Sequence, residues 1–371
     1  MHGLWLAGLN PESVMNTRQP ASQLFTDAPQ RAGLAPQAPL PDAPALQRLF
    51  ISGHSLVDQP FPDQMEALAA RAGNPLRWER LHLFGSSIRQ RTLAPLADGP
   101  QDALLITEQH TLLGNLMWND TPRHLRQWAD ALHAGNPHAV TYFYVPWLSI
   151  DDRNDPSRWI AYEKAAAHVW QCMVTRVNVQ LADEGRRDRI VTIPASLALV
   201  DLIAHLAAGA VLPGASAATP REAIDRVMAD EVHLTPLGSF YMALVSYLGM
   251  TGLPPRGIDP DLLAEPLVPE VSPEQARWLL HAATAFFASH ATKRGIALDS
   301  DGCRRYLEES FIDDYWRYVR IAQLAPQMGF LRSSWSACAG GSSSGTSCAI
   351  GKDVMPITVR EPCKTSRHHV V

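Results

Sequence analysis

The chain predicts an α/β fold: a parallel sheet of about five strands with helices covering both faces. Three observations predict it. Short apolar runs of strand length alternate with longer segments of helical period through residues 46–255. The clearest runs are continuously apolar, as strands buried on both faces are. The helical segments between them are long enough to serve as crossovers, the connection that parallel neighbours require.

In order, the first run is Leu49-Phe50-Ile51-Ser52, which stops at Gly53 and leaves Ser55 just past its end. After Pro60-Phe61-Pro62, residues 63–72 carry Met65, Leu68, Ala69 and Ala72 at helical spacing, and Gly73 ends that helix. Residues 77–84 form a second strand, ended by Gly85-Ser86-Ser87. Residues 103–107 form a third and 139–145 a fourth, with a helix over 122–134 between them. The periodic, proline-free stretch 157–184 predicts a long helix, 189–193 a fifth strand and 196–208 an amphipathic helix. A small-residue loop follows at 213–218, then helices over 221–229 and 236–249 and a break at Thr251-Gly252-Leu253-Pro254-Pro255. Two further helices are expected over 273–294 and 303–322.

The flanks differ in kind. Residues 1–45 are rich in Pro and Ala and carry neither structural period, which predicts a loosely ordered leader. From 333 onward, Gly340-Gly341-Ser342-Ser343-Ser344-Gly345 is linker chemistry and predicts a disordered tail. Four parts result: the leader, an α/β domain over 46–255, a helical extension over 256–332 and the tail over 333–371.

Composition bounds the function. The 371 residues are 46% hydrophobic and 19% charged, ample for a large core. The net charge is −5, and no basic run interleaves with aromatics, which argues against nucleic acid as a partner. No apolar run approaches the roughly 20 residues that span a bilayer. The apolar patch at Leu4–Leu9 has no Lys or Arg before it and does not read as a signal peptide, so the cytoplasm is the default, with export expected if the N-terminus is truncated. No glycine-rich phosphate loop follows any strand, which disfavours a nucleotide-binding protein. The five cysteines are odd in number and lack metal spacing. Cys172, the one within the expected core, is expected as a free buried thiol.

The chemistry rests on two distant stretches. Ligands of open parallel sheets collect beyond the carboxyl ends of the strands, where Ser55 stands. Alone, a serine after glycine reads as a turn or helix N-cap residue. Asp230-Glu231-Val232-His233-Leu234 changes that reading. A serine hydroxyl is a weak nucleophile and needs an imidazole to take its proton and a carboxylate to hold that imidazole in the correct tautomer. The same stretch also caps the next helix, with Thr235 at the N-cap and Pro236 at the first position, and the two roles are compatible.

With Gly53-His54-Ser55-Leu56 near its start and Asp230-Glu231-Val232-His233-Leu234 near its end, the span 46–255 resembles the GDSL, or SGNH, hydrolase superfamily. The resemblance implies a three-layer α/β/α sandwich of flavodoxin-like topology. It also implies Ser55 as nucleophile, His233 as general base and Asp230 as its orienter, with no cofactor and no metal. The implied oxyanion hole comprises the N–H groups of Ser55 and Gly85 and an asparagine side chain. Such donors are worth about 3 kcal/mol each in the transition state. Asn119 is the expected asparagine, with Asn115 as alternative and Gln109 as a further possible donor. The sequence departs from the family in three places: His54 stands where Asp precedes the serine, Thr107-Glu108-Gln109-His110 stands where the family has Gly-x-Asn-Asp after the third strand, and the downstream glycine pattern differs from that of the best-known members, so substrate preference does not transfer.

His54, Glu108, Gln109 and Trp147 are expected to wall the pocket, with His110 beside them. His82, His124, His133 and His138 have no metal spacing and read as surface or satisfied side chains. Of Trp118, Trp128, Trp147, Trp159 and Trp170, most read as core. The implied activity is hydrolysis of an O-acyl or O-acetyl ester of a carbohydrate or small lipid through an acyl-enzyme. The alternative is a catalytically impaired member of the fold that binds such a ligand.

Overall fold

Five parallel strands form one sheet in the computed structural model, which describes residues 46–318 apart from 94–95, 97–98, 215–218, 252–262, 264 and 293–299. The strands are β1 (Arg48–Gly53), β2 (Arg77–His82), β3 (Ala103–Thr107), β4 (Val140–Tyr144) and β5 (Ile190–Ile193). Their order is β2-β1-β3-β4-β5. The chain therefore adds β2 on one side of β1 and β3 to β5 on the other, so the strand order reverses between β1 and β3, the switch point where doubly wound sheets leave a crevice. Gly53 pairs with His82, and Ser52 with Ile106, so β1, β2 and β3 end nearly level at that crevice.

Every residue of β3 and β4 is buried, and β1 is buried from Leu49 onward. These strands have helices on both faces, which is why their sequences are continuously apolar. β2 is the edge, and its Arg-Trp-Glu-Arg-Leu-His sequence is largely exposed, as charged edge strands are. Helix α1 (Phe61–Arg71) follows β1. Helices α2 (Leu112–Trp118) and α3 (Thr121–Gly135) lie between β3 and β4, and α4 (Ser157–Asp183) leads to β5. After β5 come α5 (Ala195–Ala207), α6 (Pro220–Ile224) and α7 (Pro236–Thr251). Helix α7 packs against α1, and α3 against α4, giving the α/β/α layering. Almost every residue of α7 is buried, because it is apolar all round and enclosed by neighbours.

Differences from the expected elements have local causes. Helix α2 is not foreseen, since Gly114 and Asn115 lower its helical propensity and two turns are too short to display a period. Strand β2 stops at His82 because Gly85 takes the left-handed φ of +61° and the chain turns, with Ser86 N–H donating to Leu83 O at 3.2 Å. The helix expected over 273–294 is α8 (Pro273–Thr292), and the one expected over 303–322 is described to 318, as α9 (Ser300–Tyr306), a π-helical turn (Leu307–Phe311) and α10 (Ile312–Tyr318). The leader and the tail lie outside the described residues.

Cys172 is not a free thiol. It is bonded to Cys303, 131 residues away, which staples α9 to α4. Spacing along a chain carries no information about which cysteines meet in space. Cys338, Cys348 and Cys363 lie outside the described residues. Beside this bond the Tyr318 ring stacks on Tyr162 at 4.3 Å, and Tyr306 Oη–H donates to Ala165 O at 3.1 Å, so the C-terminal helices share the core of the sheet domain. None of the helices described is long and apolar enough to cross a membrane.

Candidate active site

Gly53 makes the turn that presents Ser55. A Cβ at position 53 would lie 2.1 Å from Val57 Cγ2 and 3.2 Å from Thr107 Cγ2, so only glycine lets β1 pass into the short helical turn Ser55–Val57 against β3. The serine is left half-buried at the β1/β3 switch point.

The partner stretch is a tight turn held by its own aspartate. Asp230 Oδ1 accepts the N–H groups of Val232 at 2.8 Å and His233 at 2.7 Å. Its Oδ2 lies 2.7 Å from His233 Nδ1. Burial pushes the Asp230 carboxyl up, but those two N–H groups and the imidazole outweigh it and hold it at about 2. Ionised Asp230 can only accept, so the proton sits on Nδ1 and His233 Nε2 offers a lone pair. Ser55 Oγ lies 3.0 Å from that nitrogen. The structure thus brings Asp230, His233 and Ser55 into one hydrogen-bonded line.

Three features fix the line from outside. Trp147 Nε1–H donates to Val232 O at 2.9 Å, and Ile150 N–H to Glu231 O at 2.7 Å. Thr235 Oγ1 accepts Gly238 N–H at 3.2 Å, so the expected helix cap is present beside the triad geometry. Buried Gln64 of α1 donates to Pro236 O at 3.0 Å and accepts the Ser239 hydroxyl at 2.7 Å, tying the helix that follows Ser55 to the one that follows His233.

The remaining predicted residues divide. Gly85 lies in the turn after β2, and the neighbouring Phe84, 68% exposed, stacks on His233 with ring centroids 6.5 Å apart. After β3, Asn115 is fully buried; its Nδ2–H donates to Gln109 O at 2.5 Å and its Oδ1 accepts Asn119 Nδ2–H at 2.7 Å. Both asparagines therefore brace the loop that carries Gln109. Gln109 is half-buried, and its Oε1 accepts the Thr111 hydroxyl at 2.9 Å.

Three expected wall residues are corrected. Trp147 and Glu108 have no exposed surface and His54 has 2%, so they lie behind the site. His54 Nε2 is 2.9 Å from Glu108 O, and because a carbonyl accepts, that nitrogen carries the proton. Burial lowers the His54 pKa to about 4, with Arg91, His110 and His82 adding to the effect and the carbonyl opposing it. His110 is also lowered, by burial and by the nearness of His233. Trp128, Trp159 and Trp170 are core, whereas Trp118 is 60% exposed.

Sequence reasoning misses Phe84, Gln64, Arg91 and Thr121. Phe84 adjoins the predicted Gly85, an aromatic beside the glycine turn being its signal in the sequence; the other three carry no local signal. Among the described residues, no group of three or more His, Cys, Asp or Glu could hold a metal ion.

No family model and no curated protein matches the chain. Among solved structures it is similar to a DUF4886 family protein from Bacteroides uniformis, at 13% identity over 66% of this chain and 96% of that one, with a TM-score of 0.44. It is also similar to a Clostridium thermocellum family 3 carbohydrate esterase, at 12% identity over 54% of this chain and 94% of that one, with a TM-score of 0.34.

Proposed function

We propose that the protein is a serine hydrolase that cleaves esters through an acyl-enzyme on Ser55. The observation that carries this reading is the unbroken line from Asp230 Oδ2 to His233 Nδ1 at 2.7 Å and from His233 Nε2 to Ser55 Oγ at 3.0 Å. Both spacings are those of proton-transfer partners. Ser55 Oγ attacks the ester carbonyl carbon as its proton passes to His233 Nε2, and the carbonyl oxygen becomes an oxyanion. Collapse of that intermediate breaks the bond to the alcohol, which leaves with the proton from His233. Water then attacks the acyl-enzyme with His233 again as base, and the acid departs from regenerated Ser55. Asp230, ionised throughout, stabilises the imidazolium formed in each half.

The N–H groups of Ser55 and Gly85 and the Gln109 side-chain amide are the oxyanion donors of this reading. Gln109 is preferred because it lies two residues past the end of β3, whereas Asn115 is enclosed and Asn119 bonds to it. The resemblance of the two sequence blocks to the SGNH superfamily points to an O-acyl or O-acetyl ester of a carbohydrate or small lipid. Purified protein is expected to hydrolyse p-nitrophenyl acetate and to take up a fluorophosphonate probe on Ser55. Ser55→Ala should abolish both, and unchanged turnover in that variant would refute the assignment.

A further inference from the structure

Glu108 lies outside the triad, is fully buried, and touches the segments on one side of it. Its Oε1 accepts the N–H groups of Ile88 at 3.0 Å and Gln109 at 2.7 Å. Its Oε2 accepts the Thr121 hydroxyl at 2.7 Å, and its backbone carbonyl accepts His54 Nε2–H at 2.9 Å. One residue therefore joins the loop after β2, the loop after β3, the start of α3 and the residue preceding Ser55. The two loops are those that flank the base: Phe84 of the first stacks on His233, and His110 of the second lies near enough to His233 that its pKa is lowered. Arg91 is the buried cation nearby. It donates through Nη2 to Thr107 O, while its Nε and Nη1 have no partner among the described residues.

A carboxylate is a costly way to fill a core position that needs only packing, since an apolar side chain of similar volume does that without desolvating a charge. Burial pushes the Glu108 carboxyl up, and the Gln109 N–H, the Thr121 hydroxyl and Arg91 pull against it. What the carboxylate offers beyond bulk is four directed acceptor positions, enough to hold several segments at fixed spacing.

We propose that Glu108 is a positioning residue of the site, holding the loops after β2 and β3 at the separation their donors need to meet an oxyanion at Ser55. It does so without touching substrate, and the proposal rests on the hydrolase reading above.

Two variants separate geometry from bulk stability. In Glu108→Gln, the amide oxygen can still accept from Ile88 and Gln109. Its nitrogen can donate to Thr121 Oγ1, whose own proton then turns to Asn115 O at 3.1 Å. Glu108→Ala removes all three side-chain bonds. Measured on protein shown by circular dichroism to be folded, Glu108→Ala should lower kcat by about 10²-fold or more with KM little changed, the pattern of lost transition-state stabilisation. Glu108→Gln should restore kcat to within about tenfold of wild type, the residual loss reflecting the missing charge on these bonds. Hydrogen exchange at the Ile88 and Gln109 amides should accelerate in the alanine variant and not in the glutamine one. Should Glu108→Ala fail to fold, Thr121→Val, which deletes one bond, should still slow kcat while leaving KM unchanged. Wild-type turnover in a folded Glu108→Ala, or in Thr121→Val where that variant is the one tested, would overturn the proposal, as would a glutamine variant no better than the alanine one. If wild type neither turns over p-nitrophenyl acetate nor takes the fluorophosphonate probe, the hydrolase reading itself fails and the proposal with it, an outcome distinct from the others.

Discussion

Trp147 Nε1–H donates to the carbonyl oxygen of Val232 at 2.9 Å, so an indole just past β4 holds the turn that carries Asp230 and His233. The Val232 N–H in turn donates to Asp230 Oδ1, which makes the indole the outermost link of a chain ending at the carboxylate. Trp147→Phe keeps most of the buried ring and removes the donor. It should cost about 1–2 kcal/mol in urea denaturation through the unpaired carbonyl. A slackened turn should also lower kcat by about tenfold, since small misplacements of a catalytic group are costly. Unaltered stability and kcat together would show that the bond holds nothing.

Acid sensitivity should trace in part to His54. Its pKa in the fold is lowered to about 4 from 6.5, so the unfolded chain takes up the proton first as pH falls. The stability tied to neutral His54 is full above pH 6.5, is lost progressively between 6.5 and about 4, and changes little below that. The amount at stake is about 3 kcal/mol. His54→Gln, which has no titrating group, should flatten the stability curve over that window by about this amount relative to wild type. Urea midpoints from pH 4 to 8 provide the check, and parallel curves for the two proteins would contradict it. His110 and His168 are also lowered by burial, and the comparison subtracts their shared contribution.

The Cys172–Cys303 bond closes a span of 131 residues. Bonds across long spans remove unfolded-state entropy, typically worth about 2–4 kcal/mol. A Cys172→Ser, Cys303→Ser double variant should therefore melt several degrees lower than oxidised wild type and lose its response to reductant. Among the described residues, the hydrogen bonds that join Ser55, His233 and Asp230 do not involve α4 or α9, so kcat should be unchanged. Equal melting temperatures would show that the C-terminal helices are held by packing alone.

Parts of this molecule are legible in the chain because they obey local rules. A strand buried on both faces has to be apolar throughout, so β1, β3 and β4 announce themselves. Ser55 is legible because a glycine stop precedes it, and Asp230 with His233 because a carboxylate three residues before a histidine can close on it within one turn. Phe84, Gln64 and the corrected roles of Glu108, His54 and Trp147 are not legible. Whether a polar side chain lines a site or lies behind it depends on what packs over it, and the covering residues come from distant segments.

By itself, then, the sequence determines the alternation of strands and helices and the residue types available at the strand ends. Only the tertiary structure decides the order β2-β1-β3-β4-β5, the Cys172–Cys303 pairing and the meeting of Ser55 with His233 across 178 residues. Secondary structure follows from backbone preferences and side-chain periods within a few residues. The approach of one hydroxyl to one imidazole follows from how α1 packs on α7 and how Gln64 and Trp147 tie those elements down.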